Sequence, residues 1–107
     1  MNTAWLFLLL AGLFEIGWPI GLKLAQTPGK AVAGTAIAIV CMGISGWLLF
    51  MAQKSIPMGT AYAVWTGIGA AGTFVMGIVL YGDPSSMMRI LGVVLIVGGV
   101  VTLKMAH

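Results

Sequence analysis

One acidic residue lies inside the first long apolar run of the chain. Glu15 is the only Asp or Glu among residues 1–24, and its neighbours are almost all apolar. A carboxylate in a membrane-spanning stretch is costly, so we expect it to bind a cation, carry a proton, or do both in turn. The nearest basic residue, Lys23, lies 8 positions on, about 12 Å along a helix. Because no partner neutralises Glu15 within its own helix, a proton and a cation are expected to compete for it.

Aromatic residues are spaced to accompany this carboxylate. Trp18 follows Glu15 by three positions, so both side chains lie on one helix face. Tyr62 and Trp65 repeat that spacing in a later apolar segment. Aromatic faces attract positive charge and a nearby acid supplies the counter-ion, so these four residues predict a cation-binding site. The alternative is that the rings only pack or belong to the aromatic belt of a membrane protein.

Two further residues bear on this predicted site. Ser45 is flanked by Gly43 and Gly46 in an otherwise apolar segment. Its hydroxyl either orients the carboxylate or bonds to the carbonyl four residues earlier, and the sequence leaves both readings open. Pro19 has no N–H and cannot bond to the carbonyl of Glu15. We therefore expect a free backbone acceptor beside the carboxylate and a kink in the first helix.

Composition indicates that a membrane surrounds these residues. The 107-residue chain is 61% hydrophobic and only 7% charged, far from the composition of a soluble domain. Apolar segments of about 20 residues fit the thickness of a bilayer. We predict an all-α integral membrane protein, one domain over residues 1–107, with transmembrane helices at 3–24, 31–53, 58–81 and 86–104. The first lacks a basic region and a clear cleavage site, so we expect it to be retained rather than removed as a signal peptide.

Charge is scarce and evenly placed. Five basic residues oppose Glu15 and Asp83, for a net charge of +3, and they form no basic stripe for nucleic acid. On the four-helix reading, one side carries Lys23, Lys30 and Arg89, and the other carries Lys54 and Lys104. So small a difference gives almost no orienting signal. The chain is therefore predicted to insert both ways and to pair as an antiparallel dimer, since four helices are too few to enclose a polar pathway.

Small residues predict where helices approach closely. The third segment has Gly59, Ala63, Gly67 and Ala71 at intervals of four, and the fourth has Gly92, Gly98 and Gly99. We assign those three glycines to dimer packing. Gly67 and Gly69 are expected to give a bendable, closely packed stretch just beyond Trp65. The Asp83-Pro84 pair predicts the N-cap and first residue of the fourth helix.

Signals for catalysis are missing from the sequence. Residues 67–72 match the G-x-G-x-x-G spacing of dinucleotide folds, but no strand precedes them. No metal-ligand cluster, nucleophile triad or phosphate loop occurs, so we expect neither an enzyme nor a metal or cofactor. The single cysteine, Cys41, excludes an intrachain disulfide and is interpreted as a small core residue. Trp5 and Trp47 are expected to pack or to lie at the membrane interface.

Residues 12–15 (GLFE) and 57–69 (PMGTAYAVWTGIG) closely resemble the small multidrug resistance family, and the likeness extends over nearly the whole chain. Within that family, Trp18 followed by 21–23 (GLK), residues 65–70 (WTGIGA) and 103–104 (LK) resemble the guanidinium exporter subtype. The resemblance implies an antiparallel homodimer in the inner (plasma) membrane. It implies exchange of protons for guanidinium-type cations by alternating access.

The resemblance also assigns roles to residues. Glu15 would hold the proton and the substrate in turn, and four residues would line the site and hold the acid in a hydrogen-bond network: Trp18, Ser45, Tyr62 and Trp65. Pro19 departs from the pattern, in which a small residue is more usual after this tryptophan. That departure points toward substituted guanidines.

Other functions remain open at this stage. The chain could be a broad exporter of quaternary ammonium or aromatic cations, or one subunit of a heterodimeric pair. From a different class, it could be a passive cation channel or a non-transporting assembly subunit. The central acid argues against the last, because a purely structural helix has no reason to keep it.

Overall fold

Four helices joined by short connections make up the protein. The computed structural model describes residues 2–106. The helices are α1 (Thr3–Ala25), α2 (Ala31–Ala52), α3 (Met58–Tyr81) and α4 (Met87–Ala106). Each is long and apolar enough to cross a membrane. The prediction of an all-α, multi-pass membrane protein with four helices is confirmed.

The connection between α3 and α4 differs from the expected one. Gly82 ends α3 in the left-handed region (φ 67°) and its N–H donates to the carbonyl of Ile78 at 3.1 Å. With Gly82 in the left-handed conformation, that bond is the αL type of helix cap, and the N–H of Asp83 also donates to the carbonyl of Gly77 at 3.2 Å. Asp83 is thus fixed to the end of α3, and the expected N-cap at Asp83 is wrong.

Ser86 performs the capping instead. The helix α4 begins at Met87, and the N–H of Arg89 approaches the Ser86 hydroxyl at 3.4 Å. The sequence signal misled because the Asp83 amide is bonded to the end of α3, and residues 84–86 lie outside any helix before α4 starts.

Helix α1 is the centre of the packing. It contacts both α2 and α3, whereas α4 packs against α3. Near the N-terminal end of α1, Trp5 and Leu8 form a buried core with Ile56, Ala61 and Val64. This core fixes one end of the bundle and leaves the other end of α1 and α3 free to form clefts.

The backbones of α1 and α2 touch at two glycines. A Cβ on Gly34 would overlap the backbone of Ala25, and one on Gly21 would lie 2.6 Å from the amide nitrogen of Ala38. Both positions therefore exclude a side chain. Close backbone contact of this kind is the usual means by which membrane helices pack without a hydrophobic driving force.

Helix α4 has no buried residue in the single chain. The glycines assigned to dimer packing, Gly92, Gly98 and Gly99, each face open space, with no atom within 4 Å of a Cβ built there. By contrast, Gly67 of α3 packs against Val100 of α4. The structure therefore places Gly67 in the contact between α3 and α4, and leaves the three α4 glycines available to another chain or to lipid.

Candidate functional site

Glu15 lies on the side of α1 that faces α3, directly against Gly69. A Cβ on Gly69 would overlap Cγ of Glu15 and would lie 3.2 Å from its Cβ and 3.6 Å from its carboxyl carbon. The acid thus rests on the backbone of α3. Gly69 was expected to be part of a bendable stretch, and its contact with the acid gives it a more direct role.

On either side of Glu15, a glycine of one helix likewise packs against a side chain of the other. A Cβ on Gly12 of α1 would lie 2.7 Å from Ile68 of α3, and one on Gly72 of α3 would overlap Ile16 of α1. A large side chain on one helix thus enters a space left by a glycine on the other, in both directions. This interlocking fixes the register of the two helices around Glu15.

A cleft of about 240 Å³ opens beside the carboxyl group. Its lining consists of Glu15, Trp18, Pro19, Thr66, Gly69, Ala70 and Thr73. The α3 members follow the spacing i, i+3, i+4, i+7, so they form one face of that helix. Sequence reasoning missed Thr66 and Thr73, although their spacing from Gly69 was a usable signal.

The carboxyl group is incompletely satisfied by the described residues. Its Oε1 atom is buried and has no hydrogen-bond partner among them, and Trp18 lines the same cleft. Leaving a buried polar atom unpaired costs about 1–3 kcal/mol, and more for a charged group. The oxygen therefore needs a proton, a cation or a group from outside the chain.

Ser45 belongs to a separate network. Its hydroxyl is fully buried, donates to the carbonyl of Ala11 at 2.7 Å and accepts the indole N–H of Trp65 at 2.8 Å. Neither reading of Ser45 is what the structure shows, because the hydroxyl reaches a carbonyl of α1 and not the carboxyl group or its own helix. The Ala11 carbonyl is also the helical acceptor of the Glu15 amide, so the network fixes α1 one turn before the acid.

The second aromatic pair accompanies this network. The rings of Tyr62 and Trp65 lie 5.4 Å apart between centroids, tilted by 53°, and Tyr62 is 57% exposed. Within one chain the structure therefore brings Glu15 together with Trp18, but places this aromatic pair outside the cleft. Hydrogen bonds link Trp65 to Ser45, and Ser45 to the backbone of α1 one turn before the acid.

Pro19 lines the cleft and lies inside α1, which continues without interruption from Thr3 to Ala25. Because its nitrogen carries no hydrogen, the Glu15 carbonyl lacks the helical donor that residue 19 would otherwise supply. Among the residues that the structure describes, no group of three His, Cys, Asp or Glu is placed to hold a metal ion.

Comparison with known proteins agrees with this architecture. Residues 3–96 match the family described as Small Multidrug Resistance protein. A guanidinium exporter of Yersinia pseudotuberculosis is 50% identical over 103 residues, which are 96% of this chain and 98% of the relative. Guanidinium exporters of Salmonella typhimurium and Escherichia coli K12 are 45% and 44% identical over 103 residues, 96% of this chain and 97% of each relative.

Proposed function

The chain belongs to the small multidrug resistance family, and we propose that it exports guanidinium-type cations across the inner membrane in exchange for protons. The observation that supports this most directly is the buried, unpartnered Oε1 of Glu15 beside Trp18 in a cleft of about 240 Å³. The names of three relatives at 44–50% identity favour guanidinium over other cations.

Guanidinium suits the groups that line the cleft. It is planar and donates paired N–H bonds that match a carboxylate edge, and its faces stack on aromatic rings. Glu15 and Trp18 supply those two features. The Thr66 hydroxyl donates to the Tyr62 carbonyl of its own helix at 2.8 Å, which leaves its oxygen free to accept an N–H from the cation.

The coupling of proton movement to guanidinium movement follows from competition at one carboxyl group. Glu15 can hold a proton or a guanidinium ion, but each removes the other's binding site. A cycle in which the site opens alternately to the two sides then exchanges one for the other. A leak would require the site to change sides empty, with an unpaired carboxylate in a low-dielectric interior, and that state is strongly disfavoured.

A second chain completes this proposal. Helix α4 has no buried residue, and one chain leaves the Glu15 cleft open. An antiparallel homodimer would cover both and would bring two copies of Glu15 near each other. Two carboxyl groups at close range resist double ionisation, so their titrations would be coupled.

Pro19 bears on the choice of substrate. It lines the cleft, and because it has no N–H it leaves the carbonyl of Glu15 without its usual helical donor. A substituted guanidinium would place its apolar substituent against the proline ring while its remaining N–H groups bond to the carboxylate and the carbonyl. We propose such substituted guanidines as substrates together with guanidinium itself.

Transport by the purified protein in liposomes tests these proposals. With a proton gradient imposed, the vesicles would be offered guanidinium, a substituted guanidinium and tetraethylammonium. We expect gradient-dependent uptake of the first two, and no gradient-dependent uptake in Glu15→Gln, which has the shape of glutamate but no charge. Uptake that ignores the proton gradient would indicate a channel. Gradient-dependent uptake of tetraethylammonium as well would indicate a broad exporter, and activity only with a second, different chain would indicate a heterodimer.

A further inference from the structure

A second cavity adjoins the Glu15 cleft toward the C-terminal ends of α1 and α3. Its volume is about 170 Å³, and it is lined by Pro19, Ile20, Lys23, Thr73, Gly77, Tyr81 and Asp83. Pro19 and Thr73 line the Glu15 cleft as well. The two spaces are therefore neighbours, and a small cation leaving Glu15 along this face would meet the second one next.

The second cavity contains the other acid of the chain, and the backbone fixes its position. The amide of Asp83 is bonded to the Gly77 carbonyl at 3.2 Å. A Cβ on Gly77 would overlap Oδ2 of Asp83 and lie 3.2 Å from its Cγ. The carboxylate thus folds back onto α3 at a point where only glycine leaves room for it.

Tyr81 and Lys23 complete the cavity. The ammonium nitrogen of Lys23 lies 5.7 Å from the centroid of the Tyr81 ring, in the range of a cation–π contact. The described residues form no ion pair between Lys23 and Asp83. An aromatic face and a carboxylate therefore line one small space, and the cation at the aromatic face belongs to the protein.

Glu15 with Trp18, and Asp83 with Tyr81, are the same combination of an acid and a ring. We propose that Tyr81 and Asp83 form an outer binding site for the exported cation, and that Lys23 occupies its aromatic face until the substrate displaces it. This proposal rests on the proposed function, since it assigns a second stop to the same substrate.

The tethered ammonium of Lys23 competes with the cation for the outer site. A guanidinium ion binds between the Tyr81 ring and the Asp83 carboxylate only while Lys23 is displaced toward solvent. Because Lys23 is covalently attached through α1, it remains at high local concentration and competes for the ring. Its return expels the cation, so the outer site is weak and serves passage rather than storage.

Binding to Glu15→Gln protein isolates the outer site, because that substitution removes the inner carboxylate. Guanidinium would be titrated into the labelled protein in lipid bicelles while the amide resonances of Gly77 and Gly82 are followed by NMR. We expect a saturable shift of both amides with weak affinity. The shift should disappear when Asp83→Asn is added, and it should weaken with Tyr81→Leu.

Lys23→Met in the same background provides a readout that a structural role would not change. Removing the tethered competitor should strengthen guanidinium binding at the outer site by roughly fivefold, the size of an exposed cation–π contact. Lys30→Met is the matched control, because it removes a positive charge from the same end of the molecule outside the cavity. If both variants strengthened guanidinium binding equally, the effect would be a general electrostatic one, and the role of Lys23 would be overturned.

The outcomes separate this inference from the proposed function. If wild-type protein transports guanidinium but Glu15→Gln shows no saturable shift at Gly77, or a shift that survives Asp83→Asn, the outer site is refuted alone. If wild-type protein transports no guanidinium, the proposed function fails. The Asp83-dependent shift in the Glu15→Gln protein then still decides whether the outer site binds the cation.

Discussion

At the scale of single residues, the acid at the centre of the site is positioned by a residue that has no side chain. Gly69 lets Glu15 rest on the backbone of α3, and the flanking pairs Gly12–Ile68 and Ile16–Gly72 keep that register. A backbone contact cannot rotate away as a side chain can. The depth of the carboxyl group in the cleft is therefore set by the fold.

Gly69→Ala should displace Glu15 without unfolding the protein. The new methyl group would overlap Cγ of the acid, and relieving such overpacking costs about 1–3 kcal/mol. We expect guanidinium affinity, measured by calorimetry in detergent, to fall about tenfold or more. Gly59→Ala on the same helix faces open space and should leave affinity unchanged; equal affinity in both variants would contradict the proposed contact.

Ser45→Ala should loosen the link between Trp65 and α1. The substitution leaves the half-buried indole N–H and the Ala11 carbonyl without a shared partner, at a cost of about 1–3 kcal/mol. We expect lower stability in urea–detergent unfolding and a shifted Trp fluorescence spectrum. Thr102→Ala is the control, because that exposed hydroxyl bonds only to the Gly98 carbonyl of its own helix, and an equal loss of stability there would count against the network.

Sequence reasoning identified the residue types of the site but not all of their partners. Glu15 and Trp18 meet because helical spacing alone places them together. Ser45 could be singled out as the polar residue of an apolar segment, yet its partner is a backbone carbonyl of another helix, and no side-chain pattern marks a carbonyl. Thr66 was overlooked because threonine on an apolar helix is usually satisfied by its own backbone.

At the scale of elements, α1 contains a proline, Pro19, about one helical turn after Glu15. The helix continues through Pro19, so the missing N–H leaves a local vacancy in the hydrogen-bond ladder and not a break. Length, hydropathy and proline breaks were enough to predict four helices. They placed the start of α4 within one residue, at 86 against Met87, but not its cap, since Asp83 is committed to the end of α3.

Pro19→Ala tests the exposed carbonyl of Glu15. Alanine restores the N–H that bonds to this carbonyl within the helix, so one acceptor is removed from the cleft and the proline ring with it. We expect weaker binding of a substituted guanidinium and a smaller change for guanidinium itself. Unchanged affinity and unchanged selectivity between the two cations would refute the role of Pro19.

Gly34→Ala tests the contact between α1 and α2. Its methyl group would overlap the backbone of Ala25, and a backbone cannot move aside as a flexible side chain can. We expect a loss of stability at the upper end of the 1–3 kcal/mol typical of overpacking, measured by resistance to unfolding in SDS. Gly46→Ala on the same helix faces open space and should be tolerated; comparable sensitivity would contradict the contact.

At the scale of the whole molecule, the distribution of charge is nearly even. One end carries Lys23, Lys30 and Arg89, and the other carries Lys54 and Lys104. At both ends a lysine lies over an aromatic ring: Lys23 over Tyr81, Lys54 over Phe50, and Lys104 over Trp5. Each end is thus equipped for the headgroup region, which supports the proposed insertion in both orientations.

Removing charge from one end should fix the orientation. Lys54→Gln with Lys104→Gln leaves three basic residues at one end of the molecule and none at the end that carries the termini. The positive-inside rule then predicts that the termini lie only outside the cytoplasm. Lys30→Gln with Arg89→Gln leaves one against two and should bias the chain the other way. A reporter fused to the C-terminus reads the orientation in each case.

Transport by these two variants tests the antiparallel dimer. Each variant alone should export little guanidinium, because its copies share one orientation, and co-expression of the two should restore export. The control is a chain with Lys30→Arg, which keeps the balance of charge and lies outside the second cavity. Full export by either biased variant alone would contradict the antiparallel arrangement.

The backbone contact between α1 and α2 also bears on how the protein is made. Domains and helices emerge from the ribosome in order, N-terminal first. Helices α1 and α2, which have the closest backbone contact, are therefore the first pair available to pack. Helix α3 packs against α1 next. Helix α4 arrives last and contacts α3, so a newly synthesised chain can complete its internal contacts in the order of translation and be released with one helix face still uncommitted.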